Sequence, residues 1–243
     1  VPVFPHRFGD DLRAIDWFGE PFALARFGDG ELACIQGIPY NPYGSMMGTE
    51  TWRSELGVPL RDQLQASLEC DADGYYVGVS PICCQGGGTV PYVKAPWERR
   101  VPSTIFSYGN HALFHKIARK LDLRKRSVLV SGRGGDIEVP LNAINRDDWL
   151  EPLMDKLLRV RDKPILVAAG PAACIIVHQY WLRAYVTHPR TTIVDIGSVL
   201  DIDLWGRGTR MHTAGPDPRG MRFHQCILHG REPCHPGCNP SRF

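Results

Sequence analysis

Asp29 and Glu31 stand one residue apart in the run Arg26-Phe27-Gly28-Asp29-Gly30-Glu31-Leu32. Two carboxylates on a tight turn suit a hard divalent cation such as Mn²⁺ or Mg²⁺, which takes oxygen ligands and keeps waters and substrate phosphates in its shell. Gly28 and Gly30 let backbone approach a ligand closely, and the amides that open a following helix favour an anion. Arg26, at the end of the preceding apolar run, adds a charge able to neutralise phosphate. The same residues also read as a helix start, with Asp29 as N-cap and Glu31 as a first-turn acid favoured by the helix dipole. Spacing alone leaves both readings open.

Further strand ends carry residues of the same kind. Ser131-Gly132-Arg133-Gly134-Gly135-Asp136 follows an apolar run, and Arg133 with its glycine amides suits a diphosphate. Its glycines miss the dinucleotide-binding spacing. In Ser80–Thr89 three consecutive glycines, with Gly87 at their centre, suit a ribose or phosphate, equally a mobile acceptor loop. No Lys-Ser/Thr pair follows, so the pattern does not support a triphosphate-hydrolysing loop. Gly170 opens another turn, and Asp195, ending the last apolar run, is the first candidate for a general base. It also reads as a loop acid capping the Gly197 turn. Asp201, Asp203, Trp205 and His212 follow in an irregular stretch, as further metal ligands and a ring to stack on, or as a solvated loop.

The elements that would position these residues alternate along the chain. Strands are predicted at Phe22–Arg26, Tyr75–Val79, Thr104–Ser107, Val128–Ser131, Ile165–Ala169 and Thr192–Val194, from short runs rich in β-branched and aromatic residues. Helical spacing is predicted over Gly30–Gln36, Thr51–Glu69, Asn110–Leu121, Asp147–Arg159 and Pro171–Tyr185, with Pro171 suited to the first helical position. This order is that of an α/β fold: a mostly parallel, Rossmann-like sheet with helices on both faces, whose ligands lie beyond the carboxyl ends of the strands. A catalytic domain is expected over residues 1–205 and a basic, irregular Cys/His-rich tail over 206–243.

The chain of 243 residues, 43% of them hydrophobic, is long enough for one substantial core. Its formal charge of +2 makes no global case for nucleic acid or membrane binding. Two basic clusters make a local one. The first runs from Lys116 through Arg119, Lys120, Arg124, Lys125 and Arg126; beside it His111 and His115 lack the intervening Glu of a metalloprotease pair. No apolar run reaches membrane-spanning length and no signal-peptide order opens the chain, so a cytoplasmic protein is expected, although the missing initiator Met leaves processing open. Cys34, Cys70 and Cys174 read as small buried hydrophobes.

The run Arg26–Leu32 resembles the signature of the GT-D glycosyltransferases, a family first catalogued as a domain of unknown function. Ile165–Ala173 followed by a helix, and Ile193-Val194-Asp195-Ile196-Gly197, resemble that family's later strand, Gly-Pro turn and Asp-x-Gly strand end. Tyr75–Val79 stands where the family places a strand, and the likeness covers most of residues 20–210. It implies an α/β nucleotide-sugar fold in which Asp29 and Glu31 hold a metal that bridges the diphosphate of a sugar donor.

The tail carries the second basic cluster, with Arg207, Arg210, Arg219, Arg222, Arg231 and Arg242 against Asp217 and Glu232. His224, Cys226, His229, Cys234, His235 and Cys238 crowd into it. Cys226, His229, Cys234 and Cys238 are enough to close a structural Zn²⁺ site, while free thiols or disulfides fit equally, since the spacing matches no standard finger. Three functions follow. The first is a metal-dependent glycosyltransferase moving sugar from a nucleoside-diphosphate sugar to a hydroxyl of a glycan or glycoprotein. The second keeps that chemistry but takes a hydroxymethylated base in phage-type DNA as acceptor. The third is a non-catalytic, zinc-dependent nucleic-acid-binding module in which Asp29 and Glu31 only cap a helix.

Overall fold

The computed structural model describes residues 15–38, 58–79, 90–106, 111–132, 134–140, 143–187, 190–197 and 199. The tail, the Ser80–Thr89 loop with Gly87, and Arg133 lie outside them, as do Asp201, Asp203, Trp205, His212 and the candidate zinc ligands Cys226, His229, Cys234 and Cys238.

Strands β1 (Ala23–Arg26), β2 (Tyr75–Val79), β3 (Arg100–Pro102), β4 (Val128–Ser131), β5 (Ile137–Glu138), β6 (Ile165–Ala168) and β7 (Ile193–Asp195) form one sheet in the order β3-β2-β1-β7-β6-β4-β5. Every described pairing is parallel. The helices are α1 (Asp29–Ile35), α2 (Val58–Leu68), α3 (His111–Lys120), α4 (Leu123–Arg126), α5 (Leu150–Leu157) and α6 (Ala172–Thr187).

Alternation along the strands builds a core on each face. Ala23, Ala25, Tyr75, Val77, Ile165, Val167 and Ile193 point to one side and meet α2, α5 and α6. Leu24, Tyr76, Leu166 and Val194 point to the other and meet Phe106, Phe114 of α3 and Leu123 of α4. Helix α6 is apolar nearly all round, and its buried run Ala172–Val177 lies over the alanines of β1, where small side chains on both elements permit close approach. Cys34, Cys70 and Cys174 are all buried free thiols.

The third strand differs from its predicted position. Ser103–Phe106 is a 3₁₀ turn, and the strand beside β2 is Arg100–Pro102. Thr104-Ile105-Phe106 has the composition of a strand, yet Phe106 is spent on a ring cluster with Trp17 and Phe114, at centroid distances of 6.1 and 5.5 Å. Tertiary packing therefore overrides the local preference. The sequence pattern also lacks a sign of β5, which pairs with β4 only through Val130↔Ile137 and Ser131↔Glu138. Only residues 132–136 separate two parallel strands, a far shorter return than the dozen or more residues such connections usually need.

Candidate active site at the carboxyl edge of the sheet

The central strand is β7, and β1 lies beside it, so the carboxyl ends of these two strands place Asp195 next to Arg26. Arg26 Nε donates to the Asp195 carbonyl at 2.8 Å, Nη1 to the Ser103 carbonyl at 2.8 Å, and Nη2 to Asp195 Oδ1 at 3.4 Å. One guanidinium thus ties β1, β7 and the turn after β3 together. Both partners are withdrawn from water, with side-chain exposures of 14% and 5%. Burial pushes the Asp195 carboxyl above its usual value, against the pull of Arg26 and of the Gly197 amide. Gly197 N donates to Asp195 Oδ1 at 2.8 Å.

Gly197 explains the Asp-Ile-Gly ending of β7. It has φ +52°, and a Cβ there would lie 1.8 Å from Arg26 Nη2. The glycine supplies the left-handed turn and at the same time the space the guanidinium fills.

At the end of β1 the chain passes through Phe27 and Gly28 into α1. The backbone of Asp29 is the first helical residue, and Gly28 is the N-cap. Glu31, half-buried, turns back so that its Oε2 accepts the Gly28 N–H at 2.8 Å. This is one half of a capping box. The bond also fixes the carboxylate in place, as hydrogen bonds do for carboxylates that ligate metals.

Cys174, in the first turn of α6, reports how close these pieces are. Its Sγ–H donates to the Arg26 carbonyl at 3.1 Å. Its thiol is pushed far up, first by burial, then by the negative charges of Asp195 and Glu31, with Arg26 opposing. The bond to the Arg26 carbonyl packs the first turn of α6 against the end of β1. The amino ends of α1 and α6 follow the carboxyl ends of β1 and β6, so both positive dipole ends meet this edge. Gly170, half-buried, forms the turn between β6 and α6 on the same edge.

The Ser131–Asp136 segment has structural employment of its own. A Cβ on Gly135 would lie 2.5 Å from the Leu129 carbonyl, and Asp136 Oδ2 accepts the Leu129 N–H at 2.8 Å. Both contacts serve the short return from β4 to β5. Among the described residues no three His, Cys, Asp or Glu side chains form a metal-holding group. Asp29 and Glu31 are the first and third residues of α1, positions that do not face each other on a helix; a Mg²⁺ or Mn²⁺ ion at this helix start would take its remaining ligands from phosphates and water. Sequence reasoning missed the partnership of Arg26 with Ser103 and Asp195. The signal that points to it is the glycine two residues after Asp195, which leaves room for a long side chain from the next strand.

No protein-family model matches the chain, and no curated protein matches it. Solved structures do resemble its fold. One is described as the highly conserved domain of unknown function 1792, with a distinct glycosyltransferase fold; it is 17% identical, the match covering 78% of this chain and 77% of that one at a TM-score of 0.46. A selenomethionine-substituted structure of domain of unknown function 1792 is 18% identical, over 78% and 77% of the two chains, at a TM-score of 0.44. A third, a new glycosyltransferase (DUF1792) from Streptococcus sanguinis, is 16% identical over 82% of this chain and 85% of that one, at a TM-score of 0.48. Among the described residues no helix is long and apolar enough to cross a membrane.

Proposed function

We propose that this protein is a metal-dependent glycosyltransferase that moves a sugar from a nucleoside-diphosphate sugar to a hydroxyl acceptor. The observation that carries the reading is the juxtaposition at the carboxyl edge: β1 ends at Arg26 and passes into α1 at Asp29, while Arg26 itself is bonded to Asp195 at the end of the neighbouring central strand. The carboxyl edge is where parallel α/β sheets take their ligands. Asp29 and Glu31 would hold a Mn²⁺ or Mg²⁺ ion there. When bound, the cation neutralises charge that develops on the departing nucleoside diphosphate.

The chain's own residues do the remaining work. The amides opening α1 and α6 give fixed positive dipole ends toward the diphosphate, and these need no rearrangement as its charge grows. The Glu31 carboxylate is kept in register by the Gly28 N–H. Arg26 is bonded to Asp195 and Ser103, so its role is to fix the edge on which the donor rests and to add positive potential beneath it. Asp195 holds Arg26 and the Gly197 turn. As general base for the acceptor hydroxyl it would have to exchange those contacts for one with substrate.

Calorimetric titration of uridine diphosphate, then of other nucleoside diphosphates, with and without Mn²⁺ tests the reading. Manganese-dependent binding should vanish in Asp29→Asn and fall in Glu31→Gln. The latter keeps a side-chain oxygen for the Gly28 N–H, so it separates metal binding from capping. Absence of binding by every nucleoside diphosphate would overturn the proposal.

A further inference from the structure

The opposite edge of the sheet holds a cavity of about 280 Å³. Its wall is made by the residues just ahead of β1, β4, β6 and β7, four strands that are consecutive in the sheet, so it lies at their amino ends. Three arginines line it, Arg126, Arg161 and Arg190, against one lining carboxylate, Asp162.

Arg126 and Arg161 are anchored by groups that leave their positive charge in place. The Arg126 guanidinium lies 3.7 Å from the centroid of the Phe18 ring, and Arg190 lies 4.1 Å from that of Trp181. Arg161 Nη1 donates to the Val160 carbonyl at 2.9 Å, and to that of Leu158. A ring takes the face of a guanidinium and leaves its N–H donors in the plane, the arrangement that grips phosphate oxygens two at a time. Trp17, also of the wall, has its indole Nε1–H buried without a hydrogen-bond partner. Arg124 extends the positive potential outward from Arg126 along α4, whereas Lys125 is paired with Asp122 at 3.5 Å.

We propose that this cavity is a second ligand site, separate from the carboxyl edge, which takes a small anion bearing a phosphate or diphosphate group. Its volume takes one such group with room to spare. Three cations against one anion in a recess focus a field that draws anions in. Thr192 in the wall stands three residues before Asp195 on the central strand, about 10 Å at the rise of an extended chain. An anion seated here is thus one short strand away from the Arg26–Asp195 pair.

The test is calorimetric titration of inorganic pyrophosphate at low ionic strength with a chelator present, so that the metal-dependent edge is silent. Wild type and Asp29→Asn should bind alike. Arg126→Gln and Arg161→Gln, both at exposed positions, should each weaken binding by roughly tenfold or more, the usual worth of a charge-assisted hydrogen bond. The double variant should abolish it while its thermal unfolding stays close to wild type. No binding of pyrophosphate by wild type overturns the proposal, as does binding that survives in the double variant or is lost in Asp29→Asn. The donor-site reading is tested separately, by its dependence on Mn²⁺.

Discussion

Replacing Arg26 by Met removes three donors from the carboxyl edge at once. The carbonyls of Asp195 and Ser103 each lose a partner at 2.8 Å, and the Asp195 carboxylate keeps only the Gly197 N–H among the contacts described above. Breaking a buried ion pair from one side costs about 3–5 kcal/mol. Each stranded acceptor adds about 1–3 kcal/mol, but Asp195 escapes part of its penalty by taking up a proton, so we expect about 4 kcal/mol at pH 7.5. Asp195→Asn should cost less, about 1–2 kcal/mol, because it keeps an oxygen for Gly197 N–H and leaves both backbone acceptors of Arg26 in place. The double variant should fall short of the sum by about 1–2 kcal/mol, the coupling of the pair. Reversible urea unfolding measures all four proteins.

The pH dependence supplies a second axis. The Asp195 carboxyl is raised above its ordinary value of 3.8, so its contribution to stability is fully present below that value and is lost as pH rises through the folded one. Removing Arg26 takes away a cation that opposes the rise. The loss then reaches to higher pH, and the deficit of Arg26→Met relative to wild type should shrink between pH 7.5 and pH 5. Additivity of the two single variants within about 0.5 kcal/mol would refute the reasoning, since it would mean that the pair does not interact. A cost below about 1 kcal/mol for Arg26→Met would do the same, because it falls under the lower bound for a buried pair broken on one side.

Gly197→Ala should displace Arg26 and cost at least about 2 kcal/mol in urea unfolding, from a left-handed alanine and from the lost guanidinium contacts. His178 is buried in α6, with its Nδ1 unpartnered and its pKa lowered to about 4 by burial. Its contribution is complete above the ordinary value of 6.5 and is lost as pH falls from there to about 4, so stability should drop by about 3 kcal/mol over that window, and His178→Met should flatten the slope. Asp195→Asn also separates the two roles open to that residue. Loss of glycosyl transfer with nucleoside-diphosphate binding intact marks a base, and parallel loss of binding and stability marks a support for the edge. Glu31→Ala should lower thermal stability more than Glu31→Gln, since only the alanine loses the cap at Gly28.

Much of the sheet is legible because parallel strands buried on both faces read as unbroken apolar runs, as in Tyr75–Val79 and Ile165–Ala168. Where the reading fails, a residue answers to distant partners. Thr104-Ile105-Phe106 looks like a strand until Phe106 is required by Trp17 and Phe114. Ile137–Glu138 is too short to leave a pattern and is recognised only through its pairing with β4. The candidate site divides in the same way. Asp29 and Glu31 stand out because their neighbours in sequence are also their neighbours in space. The partners of Arg26 lie 77 and 169 positions away, beyond any local pattern.

The same argument accounts for the cavity at the amino edge. Arg126, Arg161 and Arg190 come from three connections that no spacing rule links, and each alone reads as an ordinary surface cation. Their meeting is a consequence of strand order. Strands β4, β6 and β7 are neighbours in the sheet, so the residues that precede them must converge, just as the residues that end β1 and β7 converge at the other edge. A parallel sheet thus gathers chain starts on one side and chain ends on the other. Glu31 and the Arg26–Asp195 pair stand at the carboxyl edge, and guanidiniums meet at the amino edge. The first arrangement suits a cation that carries a diphosphate, and the second an anion that arrives without one.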